Sequence, residues 1–161
     1  MLFGKKNKTD NEIIYSPIEG KCIPLKDISD EVFSSGMLGI GCGIIPTRGI
    51  VKSPVNGKII MITDTKHAIG LTDENGVEIL IHIGLDTVSL EGDGFETKVK
   101  INQKVKVGDT LIEFDLNKIR EKGLSEESVL LISNADILKE NSIKENISVK
   151  AGDELITYTK K

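Results

Sequence analysis

The sequence contains no tryptophan, and its 161 residues include only two tyrosines and four phenylalanines. Because aromatic residues make up 4% of the chain and hydrophobic residues 39%, the core must consist mainly of aliphatic side chains. Cysteine is also scarce, with one thiol at Cys22 and one at Cys42. The chain begins without the charged and then apolar pattern of a secretion signal, so we interpret both as buried, reduced thiols.

An excess of positive charge and long apolar runs are missing as well. The chain has 21 basic and 25 acidic residues, a net charge of −4, whereas a nucleic-acid-binding surface is basic. The longest apolar runs, Met37–Ile45 and Ile79–Leu85, fall well short of the roughly 20 residues that cross a bilayer. We therefore expect a cytoplasmic protein that binds no nucleic acid and does not insert into the membrane.

The length and the distribution of polar residues favour a single domain. Residues 1–12 are polar and are expected to form a flexible tail, and residues 13–161 the folded domain. Helix is expected to be minor. Asp115 can cap a short helix over Leu116–Lys122, and Asn134 can cap another over Ala135–Asn141.

Two pairs of similar segments indicate an internal duplication. Residues 16–21 (Ser-Pro-Ile-Glu-Gly-Lys) recur as residues 53–58 (Ser-Pro-Val-Asn-Gly-Lys), each followed by an apolar strand. Residues 105–112 (Val-Lys-Val-Gly-Asp-Thr-Leu-Ile) recur as residues 149–156 (Val-Lys-Ala-Gly-Asp-Glu-Leu-Ile). The chain therefore contains a duplicated β module. The glycine-rich segment Gly36–Gly43 precedes a strand, so it indicates close backbone approach and not a phosphate-binding loop.

The only two histidines flank a hairpin signal, Asn75-Gly76, between alternating apolar residues. A two-residue turn there pairs Ile69 with His82 and makes His67 the diagonal neighbour of His82 on the same face. A turn one residue earlier would place the histidines directly opposite each other. Only an odd-length loop would put them on opposite faces. The sequence thus predicts a two-histidine site on one face of a β-hairpin.

Side-chain parity along the second strand predicts the surroundings of this site. Alternate residues from Val77 to Leu85 should face the core. Gly84 leaves room beside His82, and its carbonyl can accept a hydrogen bond from one ring nitrogen, which fixes the tautomer and leaves the other nitrogen free. We predict that apolar residues around the histidines form a partner-binding patch, namely Ile69, Leu71, Leu80 and Ile83.

Two histidines on one face fit two kinds of chemistry. A metal site needs at least three protein ligands, and Asp86, four residues beyond His82, is a candidate third. A phosphoryl-transfer site needs less, because a neutral imidazole can attack phosphorus while the second histidine binds the phosphoryl oxygens.

Residues 76–88 (Gly-Val-Glu-Ile-Leu-Ile-His-Ile-Gly-Leu-Asp-Thr-Val) combine an apolar run, His-apolar-Gly and a threonine three positions after the glycine. This segment resembles the signature of the glucose-type enzyme IIA family of the bacterial phosphoenolpyruvate-dependent sugar phosphotransferase system. The resemblance extends to Ser53–Gly57, Thr65–Ala68 and Glu91–Phe95. It implies an all-β fold, an antiparallel β-sandwich or barrel with a duplicated hybrid motif and short helical connectors.

The resemblance also implies a phosphotransferase activity. His82 would accept a phosphoryl group on Nε2 from the phosphohistidine of the carrier protein HPr and pass it to a cysteine on the IIB domain of a sugar permease. His67 would contact the phosphoryl group and be needed for onward transfer. Thr65 would orient His67, and Asp86 would lie at the rim. No small-molecule cofactor would be required, a monomer is expected, and zinc binding through His67 and His82 would be confined to a partner complex.

Two alternatives follow from the same residues. One is a zinc hydrolase of the lysostaphin-like kind, which shares a related β scaffold; those enzymes use a further His-x-His pair, and the chain has no additional histidines. The other is a regulatory binding protein that uses the same surface. The sequence does not specify the sugar, because a separate transport domain selects it.

Overall fold

The computed structural model describes residues 11–161. Residues 1–10 of the predicted tail lie outside the described residues, and Glu12 already belongs to the first strand. Among the residues that are described, no helix is both long and apolar enough to cross a membrane.

Within the described residues, the regular structure consists mainly of antiparallel strands, with short helical connectors between them. The strands are β1 (Glu12–Tyr15), β2 (Gly20–Pro24), β3 (Ile40–Pro46), β4 (Ile50–Lys52), β5 (Gly57–Ile62), β6 (Ala68–Asp73), β7 (Glu78–His82), β8 (Phe95–Thr97), β9 (Lys104–Val105), β10 (Thr110–Phe114), β11 (Ser128–Ile132), β12 (Leu138–Ile143), β13 (Ile147–Val149) and β14 (Glu154–Lys160). The connectors are the α-helices α1 (Glu31–Ser34) and α2 (Leu116–Glu121) and the 3-10 turns Leu25–Asp27, Thr87–Leu90 and Ala135–Ile137.

The strand order shows the duplication predicted from the sequence. One sheet has the order β13-β2-β3-β11-β7-β6-β5-β9, and two smaller sheets have the orders β1-β14-β12 and β4-β10-β8. The large sheet consists of two equivalent halves that meet between β11 and β7. Strands β13, β2, β3 and β11 of one half correspond to β9, β5, β6 and β7 of the other. The repeated segments make equivalent bonds, because the Ser16 amide donates to the Asp153 carbonyl (2.7 Å) and the Ser53 amide to the Asp109 carbonyl (2.8 Å). The all-β antiparallel fold with a duplicated module is therefore confirmed.

The core lies on the inner face of the large sheet and is aliphatic. Cys22 and Cys42 are buried there as free thiols, as predicted. The parity prediction holds from Val77 to Ile83, whose inward side chains are buried in the core, and it is wrong for Leu85, which packs in a separate cluster. The buried inward residues and their neighbours on β6 are Val77, Ile79, Ile81, Ile83, Ile69 and Leu71.

A smaller apolar cluster lies on the outer face, where the connection between β2 and β3 folds back over the sheet. Ile28 and Phe33 from this connection pack with Leu85 and with Val129 of β11. Gly43 of β3 makes room for it, since a Cβ there would lie 2.3 Å from the Ile28 side chain. The glycine-rich segment therefore permits close approach, as predicted.

One helical connector was predicted correctly and one was not. Asp115 caps α2 by accepting a hydrogen bond from the Lys118 amide at 3.0 Å, and the helix ends before Gly123. The predicted helix over Ala135–Asn141 is wrong, because only the turn Ala135–Ile137 is helical before β12 begins. Pairing of β12 with β14 satisfies the backbone of that segment and overrides its helical preference.

Candidate functional site

The β6–β7 hairpin has a three-residue loop, one residue longer than predicted. The ladder pairs Ala68 with His82, and the Asp73 amide closes it on the Val77 carbonyl at 2.9 Å. The Asp73 carboxylate accepts the amides of Asn75 and Val77, at 2.8 and 2.9 Å, which stabilises the longer loop. The predicted pairing of Ile69 with His82 is therefore wrong by one residue.

An odd-length loop would place the two histidines on opposite faces if both lay in regular strands. Their rings nevertheless meet, with centroids 4.9 Å apart and planes inclined by 80°. His67 precedes β6, as the last residue of the loop that follows Thr63, and Lys66 before it has a left-handed φ of 61°. The His67 side chain therefore does not follow strand alternation, and the two-histidine arrangement forms by a different route from the predicted one.

The same shift in register changes the predicted partner-binding patch. The shift turns Ile69 and Leu71 into the core, and Ile83 is buried by side-chain alternation along its own strand in either register. The assignment of these three residues to an exposed patch is therefore wrong, and of the predicted patch only Leu80 lies half-buried on the outer face. The exposed apolar side chains near the site come from other segments. They are Val32, Met37 and Leu38 around α1, and Val88 after Asp86.

His82 is the last residue of β7, and its ring is held by a backbone carbonyl. Its Nδ1 lies 2.8 Å from the carbonyl oxygen of Gly84, where an Nδ1–H group can donate. Burial, followed by the neighbouring His67, lowers the pKa of His82 to about 4, although the Gly84 carbonyl and two nearby carboxylates act in the opposite direction. At neutral pH the ring is therefore uncharged, and this hydrogen bond leaves Nε2 with a free lone pair.

His67 is also buried and uncharged. Only 8% of the residue is exposed, and burial lowers its pKa. Its Nδ1 lies 2.5 Å from the Thr65 hydroxyl and 3.5 Å from the Thr63 hydroxyl. The contact that was expected between Thr65 and His67 is thus present. If the hydroxyls donate to Nδ1, the ring proton is on Nε2.

Two carboxylates flank His82. Asp86 is exposed, with a left-handed φ of 60°, and precedes the 3-10 turn Thr87–Leu90. Asp30 caps α1 by accepting the amides of Val32 and Phe33. Both carboxylates raise the pKa of His82. The sequence reasoning identified Asp86 but missed Asp30, whose only local signal is that of a helix cap before a four-residue helix.

The donor set does not suit a metal site made by this chain alone. Within residues 11–161, no group of three or more His, Cys, Asp or Glu residues is arranged to hold a metal ion. His67 and His82 offer two nitrogen ligands, whereas a catalytic zinc ion uses three protein ligands. The geometry therefore does not support a zinc hydrolase.

Comparison with known proteins identifies the family of the chain. Residues 12–138 match the family model of the phosphoenolpyruvate-dependent sugar phosphotransferase system, EIIA 1. The glucose-specific EIIA component of Bacillus cereus is 47% identical over 150 residues, which cover 93% of this chain and 90% of that protein. The Staphylococcus aureus (strain COL) component is 43% identical over 160 residues, covering 98% and 96%.

A solved structure, glucose permease IIA from Mycoplasma capricolum, matches with a TM-score of 0.86 and 38% identity, over 95% of this chain and 99% of that one. The sequence match covers most of the chain, and the structural match includes both halves of the duplicated fold. The chain therefore belongs to the EIIA 1 family of the phosphoenolpyruvate-dependent sugar phosphotransferase system, and its role lies in sugar phosphotransfer.

Proposed function

We propose that this protein is a cytoplasmic phosphocarrier that accepts a phosphoryl group from phospho-HPr on Nε2 of His82 and passes it to the cysteine of a sugar-specific IIB domain. One observation carries the assignment. The His82 ring is uncharged, its Nδ1 is bound to the Gly84 carbonyl, and its Nε2 is free beside a second imidazole.

The transfer needs no proton to leave His82. The Nε2 lone pair attacks phosphorus, the N–P bond of phospho-HPr breaks, and its electron pair returns to the HPr histidine. The Nδ1 proton stays on the ring and is donated to the Gly84 carbonyl, and this hydrogen bond stabilises the positive charge that develops on the imidazole. In the second step a thiolate of IIB attacks phosphorus, and the electron pair of the Nε2–P bond returns to His82. No small-molecule cofactor enters either step.

His67 binds the phosphoryl group on His82. Its ring lies edge-on to His82, and a proton on Nε2 makes it a hydrogen-bond donor for a phosphoryl oxygen. Phosphoryl transfer depends on positioning and on stabilisation of charge. We expect this donor to matter most in the second step, when the phosphoryl group leaves His82 for the IIB cysteine. Thr65 sets the orientation of this donor.

Both partners approach over the exposed apolar side chains around α1. Val32, Met37 and Leu38 surround the segment that carries Phe33, and Leu80 adds a half-buried side chain beside His82. A surface of this kind can be covered by a second protein without a cost for desolvating charge. Asp30 and Asp86 at its edge favour a basic rim on the partner. Zinc binding through the two histidines would require the partner to supply the remaining ligands.

The test is phosphoryl labelling of the purified monomer with phosphoenolpyruvate, enzyme I and HPr. We expect one acid-labile, base-stable phosphate, which is absent from His82→Ala protein. His67→Ala is the matched control: it should accept the label and fail to pass it to IIB. Label retained on the His82→Ala protein would contradict the assignment.

A further inference from the structure

Thr63, the residue after β5, closes the loop that carries His67. Its amide donates to the Ala68 carbonyl at 3.1 Å, and its carbonyl accepts the Lys66 amide at 2.9 Å. Its hydroxyl adds a third bond, because Oγ1 accepts the Ala68 amide at 3.1 Å. The residue that follows His67 is thus held by both the backbone and the side chain of Thr63.

The same hydroxyl faces the ring of His67. Thr63 Oγ1 lies 3.5 Å from His67 Nδ1, and Thr65 Oγ1 lies 2.5 Å from the same nitrogen. The oxygen of the Thr63 hydroxyl accepts the Ala68 amide, and the hydroxyl proton can be donated to a second group. The acceptors in reach are the Ala68 carbonyl, at 3.3 Å, and Nδ1 of His67. Nδ1 can accept only when the ring proton is on Nε2.

We infer that Thr63 is a positioning residue for His67: its hydroxyl fixes the loop at Ala68 and, together with Thr65, favours the tautomer of His67 with its proton on Nε2. This inference extends the proposed function, in which that proton faces the phosphoryl group on His82. Thr65 lies within the loop, whereas Thr63 adjoins the regular ladder, where Ile62 pairs with Ile69. Thr63 therefore connects the His67 ring to the paired strands β5 and β6.

The first test reads the tautomer directly and does not depend on phosphorylation. In protein with ¹⁵N-labelled histidine, the two rings are assigned with His67→Gln protein, and wild type is compared with Thr63→Val and Thr63→Ser. Valine keeps the shape of threonine and removes the hydroxyl, whereas serine keeps the hydroxyl. We expect an unprotonated Nδ1 on His67 in wild type and Thr63→Ser, and a shift toward mixed tautomers in Thr63→Val. Faster exchange of the Ala68 amide should accompany the shift in Thr63→Val.

The second test measures the two transfer steps separately. Labelling of Thr63→Val by phospho-HPr should stay within about two-fold of wild type, while onward transfer to IIB should fall roughly three- to ten-fold, the effect of losing one hydrogen bond. Thr63→Ser should restore the onward rate. A purely structural role for Thr63 would change both steps together.

The outcomes separate the two proposals. Unchanged ring shifts and an unchanged onward rate in Thr63→Val would overturn the inference about Thr63. The inference also fails if Thr63→Ser behaves like Thr63→Val, since shape and not the hydroxyl would then matter. If wild-type protein accepts no label on His82, the proposed function fails, and the ¹⁵N spectra still decide whether Thr63 sets the tautomer of His67.

Discussion

The ring of Phe33 lies against the imidazole of His82, with centroids 4.9 Å apart and planes inclined by 59°. Phe33 comes from the β2–β3 connection, and His67, whose ring also contacts this imidazole, comes from the β5–β6 connection. These connections occupy equivalent places in the two copies of the module. The duplicated fold thus brings two equivalent loops to one histidine, where one supplies an apolar ring and the other a hydrogen-bonding ring.

Phe33 should contribute to the low pKa of His82, because burial is the largest cause of that shift. We expect Phe33→Ala to move the pKa of His82 from about 4 toward the ordinary value of 6.5, and Phe33→Leu, which keeps apolar packing, to move it less. The measurement is a proton NMR titration of the His82 ring. Val32→Ala, in the same helix but at a position that is 48% exposed, is the control and should leave the midpoint unchanged. Equal midpoints in Phe33→Ala and wild type would show that other groups exclude water from the ring.

The low pKa of His82 should also make stability depend on pH. Between about pH 4 and 6.5 the unfolded chain binds a proton at this residue and the folded chain does not, so the free energy of unfolding should rise with pH across this window. The contribution is at most about 3 kcal/mol. Urea denaturation of His82→Gln protein should show a shallower rise than wild type over the same range. Parallel curves for the two proteins would contradict the low pKa.

Lys66 adopts a left-handed φ of 61° immediately before His67, which favours glycine and disfavours β-branched residues. Lys66→Gly should therefore leave the free energy of unfolding within about 1 kcal/mol of wild type, whereas Lys66→Val should lower it by about 1–3 kcal/mol. If the turn directs His67, onward phosphoryl transfer should also fall in Lys66→Val and persist in Lys66→Gly. Equal stability of the two variants would show that the loop relaxes without strain.

The features that local patterns determine were predictable from the sequence. The inward face of β7 follows from a period of two, and the bond from His82 to the Gly84 carbonyl follows from their separation of two residues. The duplicated module was visible because its turn residues recur in the same bonding roles, as Ser16 and Ser53 show. These predictions need no knowledge of the rest of the fold.

The register of the β6–β7 hairpin and the packing of Phe33 against His82 could not be predicted from local patterns. Asn75-Gly76 suits a two-residue turn, but the Asp73 carboxylate binds two loop amides and favours three residues. This competition between turn types moves Ile69 from the expected patch into the core. Phe33 reaches His82 through a long connection that crosses the outer face of the sheet, and a four-residue helix has too few residues to show a periodic apolar pattern.

Gly84 is expected to be the least replaceable glycine beside the histidines. It has a left-handed φ of 71°, and a Cβ there would lie 2.4 Å from the Thr87 methyl group and 3.0 Å from the Ser125 carbonyl. Gly76 in the hairpin loop is a matched control, since its φ is 83° and a Cβ would meet no atom within 4 Å. Both alanine variants carry the backbone strain, of about 1–2 kcal/mol, and only Gly84→Ala adds crowding.

Gly84→Ala should therefore lose about 1–3 kcal/mol more unfolding free energy than Gly76→Ala, as measured by urea denaturation. It should also slow labelling by phospho-HPr, because a displaced Gly84 carbonyl no longer holds Nδ1 of His82 at 2.8 Å. Labelling of Gly76→Ala should match wild type. If the two variants were equally stable and equally labelled, neither the crowding at Gly84 nor its bond to His82 would matter for the site.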